Sequence, residues 1–177
     1  MSDKIDFQSL SFGMRRMGWI RFWAQSILGV VVTAVLLFSN VVNNNSEDQV
    51  TLNLGLSITT ISLIFLIFSL WQSWLIIRTG RAIGSNARPS RGQTSKLIKR
   101  GLINDMLGIL FALIGNQTLI GILFLQSTSE KNVVGGINSN YDVTGLEIFS
   151  VLSNSQVIFA HFLGLCFSLW LLRRIYN

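Results

Sequence analysis

Four apolar runs govern what this chain can fold into. They cover residues 19–42, 56–77, 102–125 and 156–176, each 21 to 24 residues long. At a rise of about 1.5 Å per residue, any one of them crosses a hydrocarbon core roughly 30 Å thick. Lipid offers the backbone no hydrogen-bond partner, so runs this long and apolar are helical. Only 12% of the chain is charged, about half the share of an ordinary soluble domain. The expected fold is all-α: an integral membrane four-helix bundle forming a single membrane domain over residues 1–177.

The charges set its direction. Lys4, Arg15, Arg16 and Arg21 precede or open the first run, and Arg78, Arg81, Arg88, Arg91, Lys96, Lys99 and Arg100 lie between the second and third. Arg173 and Arg174 end the fourth. With four crossings, thirteen of the fourteen Lys and Arg residues fall on one side, and only Lys131 falls on the other. Cationic loops stay cytoplasmic. Both termini and the basic loop are therefore expected in the cytoplasm, with the two acidic loops outside or in a lumen. The net charge of +6 thus records topology. It can also attract anionic headgroups or an acidic partner. No nucleic-acid module accompanies it.

The segments around the runs carry their own patterns. Phe7, Leu10, Met14 and Met17 recur at helical spacing, so residues 1–18 are expected to form a separate amphipathic helix lying at the cytoplasmic surface. Residues 43–49 read as a polar turn and 78–93, with Gly80, Gly84, Pro89 and Gly92, as a loop. Thr94 or Ser95 is expected to cap the third helix. Residues 126–140 read as an outer loop, and 143–151 as a short lumenal amphipathic helix before the fourth span. The first run lacks the features of a cleavable signal. FSLWQSWLIIR (68–78) echoes FSLWLLRRI (167–175), and SILGVV (26–31) weakly echoes DMLGIL (105–110). These echoes suggest a parallel internal repeat of two hairpins.

Little in the chain points to catalysis. There is no phosphate loop, nucleophile elbow or metal-binding His or Cys pair, so no enzyme is expected. The lone cysteine, Cys166, falls in an apolar run and is expected to be a buried structural thiol. His161 is the only histidine. It sits in the fourth span, a turn and a half from the outer boundary. It suits a hydrogen bond to a neighbouring helix, or in a minor reading ligation of the magnesium of a chlorophyll or of a transition metal, with chlorophyll or carotenoid the pigments such a subunit would hold. Asp105 is expected to pair with Arg100 or Arg21 at the cytoplasmic boundary. Gln25, Gln72, Asn104, Asn116, Gln117 and Gln156 can pair across helices or line a small polar cavity. Helices in lipid associate through small residues. Gly101, Gly108, Ala112 and Gly115 in the third span and Ala160, Gly164 and Ser168 in the fourth are the expected packing stripes.

FGMRRMGWIRFWAQSILGVV (12–31), ARPSRGQT (87–94), GNQTLIG (115–121) and SNSQVIFAHFLGLCFSLWLLRRI (153–175) together carry a resemblance. They resemble a cyanobacterial and plastid family of four-helix membrane proteins. Its plastid member is called both a small inner-envelope import translocon subunit and "permease in chloroplasts". The likeness covers nearly the whole chain and departs at Ser155-Gln156, where the family pattern reads Thr-Asn. It implies a thylakoid or cytoplasmic membrane of cyanobacterial type, and either protein import and membrane-protein assembly or iron transport.

The residues favour the first. An iron pathway needs carboxylate, imidazole or thiolate ligands near the midplane, and this chain supplies few. The expected function is a non-enzymatic scaffold or assembly factor, with a metal-ion permease as the alternative and a pigment-binding accessory subunit as a minor one. Expected partners are the lipid bilayer, photosynthetic subunits, a translocase or insertase, and a second copy of the chain. No cofactor is required.

Overall fold

The computed structural model describes residues 7–43, 49–83, 89–129 and 145–176. They form four α-helices: α1 (Phe7–Asn43), α2 (Gln49–Ile83), α3 (Arg91–Ser129) and α4 (Gly145–Tyr176). All four are long and apolar enough to cross a membrane. They run 37, 35, 39 and 32 residues, well beyond the apolar runs. Hydropathy marks only the lipid-crossing part of a helix, whereas backbone hydrogen bonding continues past it.

That continuity changes three sequence expectations. Residues 7–18 belong to the same unbroken helix as the first span, and residues 1–6 lie outside the described residues. The apolar face of this segment packs on the bundle: Leu10 and Met14 join Ile76, Ile83, Ile98, Leu171 and Ile175 in one cluster. The segment expected as a short helix before the fourth span is, from Gly145, the first part of α4. The expected loop over 78–93 is shorter, because α2 continues to Ile83. There the Ser11 hydroxyl donates to the Gly80 carbonyl at 2.6 Å, and Gly80 lets α1 approach, since a Cβ would lie 3.0 Å from Met14 Cβ.

The cap of α3 is Ser90, not Thr94 or Ser95. Ser90 Oγ accepts from the Gln93 amide at 3.2 Å, and Gln93 Oε1 accepts from the Ser90 amide at 3.1 Å. This reciprocal pair is a capping box, placed directly after Pro89. Thr94 lies one turn in, bonding back to the Ser90 carbonyl. Ser95 shares a hydrogen bond with the Tyr176 hydroxyl at 2.9 Å, which ties the start of α3 to the end of α4. The expected turn at 44–48 and loop at 130–144 lie outside the described residues.

Each helix buries one stripe. In α3 the buried positions include Thr94, Ile98, Gly101, Asp105, Gly108, Ala112, Gly115 and Leu119. In α2 they include Thr59, Ser62, Leu66, Ser69, Ser73 and Ile76. These steps of three and four are the seam of a left-handed bundle, but its occupants are mostly small or polar. Large apolar side chains such as Ile67, Trp71, Leu110 and Phe159 point outward, where lipid receives them. The helices form a ring in which α1 and α3 each pack against both α2 and α4. α2 and α4 also touch across one diagonal, whereas among the described residues α1 and α3 make no backbone approach across the other. Exposed Arg15, Arg16, Arg78, Arg81, Arg91, Lys96, Lys99, Arg100 and Arg173 gather at one end of the bundle. All five tryptophans, Trp19, Trp23, Trp71, Trp74 and Trp170, lie in the parts of the helices nearest that end and are exposed.

Candidate functional site

The seam of small and polar residues leaves room for charge inside the bundle. Asp105 of α3 has no exposed surface. Its Oδ2 accepts from Arg21 Nη2 of α1 at 2.8 Å. Its Oδ1 accepts from the Ser69 hydroxyl of α2 at 2.7 Å and lies 3.2 Å from His161 Nδ1 of α4. One carboxylate therefore joins its helix to the other three. The sequence placed this aspartate in a boundary ion pair. The structure selects Arg21 over the exposed Arg100 and withdraws the pair from the boundary. Arg78 lies nine positions beyond Ser69, so the network sits about 13 Å below the cationic end at about 1.5 Å per residue.

Arg21 is also fully buried and reaches across the empty diagonal. Its Nη1 donates to Ser168 Oγ of α4 at 2.9 Å, and its Nη2 to Ser69 Oγ of α2 at 2.8 Å. Four residues along α1, Gln25 Nε2 donates to Ser69 Oγ at 2.9 Å and to the Ala160 carbonyl at 3.2 Å. Burying an ion pair in a low-dielectric interior is costly unless further hydrogen bonds satisfy both ions. Ser69, Ser168 and His161 supply most of them, with Gln25 holding Ser69 in turn, and only Arg21 Nε is left without a protein partner among the atoms of the pair.

His161 is in the middle of α4, not near its outer end, because the helix begins at Gly145. Its ring is fully buried. Besides Asp105, it meets the backbone carbonyl of Ser62 in α2, 3.3 Å from Nε2. The Ser62 hydroxyl donates in turn to the Gly108 carbonyl at 2.9 Å.

The expected packing glycines lie at these contacts, and each faces a polar side chain. A Cβ on Gly108 would strike the His161 ring. A Cβ on Gly101 would lie 2.6 Å from Gln72 Oε1, and one on Gly164 would run into the Asp105 carboxylate. Gly115 faces Asn154, whose Nδ2 would be 3.2 Å away. Ala112 is buried in an apolar cluster with Val32, Leu36 and Val157, Ala160 lends its carbonyl to Gln25, and Ser168 holds Arg21. The stripes admit side chains from opposing helices.

Apolar clusters close the network at both ends. The Met14–Ile76–Ile98–Leu171 cluster lies toward the cationic end, and the Val32–Ala112–Val157 cluster lies beyond His161. Among the remaining amides, Asn104 Nδ2 donates to the Phe65 carbonyl at 2.9 Å. Gln72, Asn116 and Gln156 each have a buried side-chain oxygen without a protein partner, and Gln117 is exposed. Among the described residues no group of three His, Cys, Asp or Glu side chains converges. Cys166, expected inside, is exposed on the outer face of α4, because the buried stripe runs through Gly164 and Ser168. Of the expected basic face, Arg78, Arg81, Arg91, Lys96, Lys99 and Arg100 are exposed, with Arg78 over the Trp74 ring at 5.8 Å and Lys99 over Tyr176 at 5.8 Å. Arg88 lies outside the described residues.

Ser69 and Ser62 were not identified from the sequence. The signal that finds them is the repeat. Aligning the FSLW of 68–71 with that of 167–170 pairs Ser69 with Ser168, the two hydroxyls that hold one guanidinium. Seven residues earlier the same alignment pairs Ser62 with His161, which touch across the diagonal.

The chain is similar to known proteins over nearly its whole length. Residues 5–176 match the family described as "Protein of unknown function (DUF3611)". The chain is 30% identical over 165 residues to "Protein TIC 21, chloroplastic" of Arabidopsis thaliana, a match covering 91% of this chain and 56% of the relative. It thus spans little more than half the length of that protein. No solved structure matches. A match running from before the first helix to the end of the fourth places this membrane bundle in the DUF3611 family, to which the chain belongs.

Proposed function

We propose that this chain is a non-enzymatic helical scaffold that assists the placement or assembly of other membrane proteins. We place it in the thylakoid or cytoplasmic membrane of a cyanobacterial-type cell, with its cationic end and both termini in the cytoplasm. The observation that carries this reading is the closure of the polar core. Asp105 is held by three helices at once, and apolar clusters lie on both sides of the network. The charged groups that would line a passage, Arg21, Asp105 and His161, are instead turned on one another. Apolar flanks and the cationic rim remain to meet partners: photosynthetic subunits, a translocase or insertase, or a second copy. The likeness to a chloroplast protein fits this setting.

Affinity purification from native membranes in mild detergent tests the reading. Such subunits should co-purify with the tagged chain. Metal flux through vesicles containing only the purified protein would overturn the scaffold as its primary role.

One observation favours a metal-ion permease instead. Asp105 and His161 are ionisable, adjacent and inside membrane-spanning helices, a placement that marks transport paths elsewhere. Under that reading, Asp105→Asn and His161→Ala abolish flux while the protein still inserts. We read His161 as a helix-joining side chain rather than a pigment ligand, since both ring nitrogens already face protein atoms. Loss of bound chlorophyll or carotenoid in His161→Ala would reverse this.

A further inference from the structure

His161 is surrounded by acceptors. Its Nδ1 lies 3.2 Å from Asp105 Oδ1, and its Nε2 lies 3.3 Å from the carbonyl oxygen of Ser62. A neutral imidazole has one N–H and one bare lone pair. With the proton on Nδ1, the lone pair of Nε2 points at a carbonyl. With the proton on Nε2, the lone pair of Nδ1 points at a carboxylate. Either tautomer sets two acceptors against each other where no solvent reaches, and an unmet polar contact there is expensive. Only the imidazolium donates at both. Gly108 fixes the arrangement, because its lack of a side chain is what lets the ring occupy this position.

The charges facing the ring come from two elements. α3 contributes Asp105, in direct contact. α1 contributes Arg21, held on the far oxygen of the same carboxylate. α2 contributes the Ser62 carbonyl and, through Asp105, the Ser69 hydroxyl, but no titratable side chain among the described residues. On α4 itself Cys166 is exposed on the outer face. Arg21 opposes a second cation and Asp105 offsets it, so the carboxylate stands between two positive groups.

We propose that His161 and Asp105 form a proton-binding site within the membrane. The bound proton makes the ring an imidazolium that donates to α3 through Nδ1 and to α2 through Nε2. When the proton leaves, one of these hydrogen bonds ends, and the link from α4 to α3 or across the diagonal to α2 loosens. The site requires neither the scaffold nor the permease reading, and would give either one a sensitivity to proton concentration.

The single histidine of the chain makes the test direct. Wild-type protein labelled with nitrogen-15 histidine, in lipid vesicles at about pH 7.5, gives the spectrum of one ring. Both ring nitrogens should appear protonated. One bare nitrogen, in either tautomer, overturns the proposal. In Asp105→Asn the ring should revert to a neutral form with its proton on Nε2, facing Ser62. A ring that stays doubly protonated in that variant excludes the carboxylate from the site and overturns the pair.

Discussion

The guanidinium of Arg21 and the carboxylate of Asp105 meet at 2.8 Å across the diagonal that their own helices leave open. α1 and α3 make no backbone approach, so a long side chain from one and a short one from the other bridge the gap. The pair acts as a cross-brace, and the hydroxyls of Ser69 and Ser168 hold the guanidinium from the other diagonal.

Removing either end of the brace strands a charge. Arg21→Met and Asp105→Leu should each lower stability by about 3–5 kcal/mol, the usual penalty for an orphaned buried ion. The double variant Arg21→Met/Asp105→Leu should recover most of that loss. Denaturation in detergent, arranged as a double-mutant cycle, reads the coupling. Additive losses would mean that the two groups do not interact.

The glycines separate by what they face. Gly108→Ala and Gly164→Ala force a methyl into the His161 ring and the Asp105 carboxylate, which should cost about 1–3 kcal/mol each. Nothing lies within 4 Å of a Cβ on Gly121. There alanine should be neutral or gain up to about 1 kcal/mol from helix propensity. Thermal unfolding of the three variants makes the comparison.

The paired serines should be unequal. Ser168→Ala removes one hydrogen bond to a charged group, worth about 1.5–3 kcal/mol. Ser69→Ala should lose more, because the same hydroxyl also serves Asp105 and Gln25. Equal losses would show that the Arg21 contact accounts for both.

Sidedness can be read from the ends of α3. With Cys166→Ser removing the natural thiol, Arg91→Cys and Ser129→Cys place single cysteines at the two termini of this helix. In sealed vesicles an impermeant maleimide should label them from opposite faces, with position 91 cytoplasmic. Labelling of both from one face would remove the basis for a membrane-crossing α3.

The helices were legible because lipid demands long apolar runs, and the cationic end because charge resists crossing. The ends of the helices were not, because a cap such as Ser90 works through local hydrogen bonds that hydropathy does not register. Gly108 and Gly164 were recognisable as places of close approach, but spacing along one helix does not reveal which side chain arrives from another. Asp105 was seen as a partner for Arg100 or Arg21, and the choice between them was left open. Its depth below the cationic end was not legible, since α3 begins eleven residues before the apolar run of 102–125 and the surrounding helices extend with it. Cys166 illustrates the limit most simply: an apolar neighbourhood in sequence is the same whether a side chain faces lipid or protein.

Interfacial anchoring is one-sided in this molecule. With every tryptophan and nearly every cation gathered toward one end, a single leaflet holds the bundle in register with the membrane. Among the described residues the opposite end carries no comparable mooring, so differences in bilayer thickness should be taken up there, while the depth of the buried charges below the anchored surface stays constant from one membrane to another.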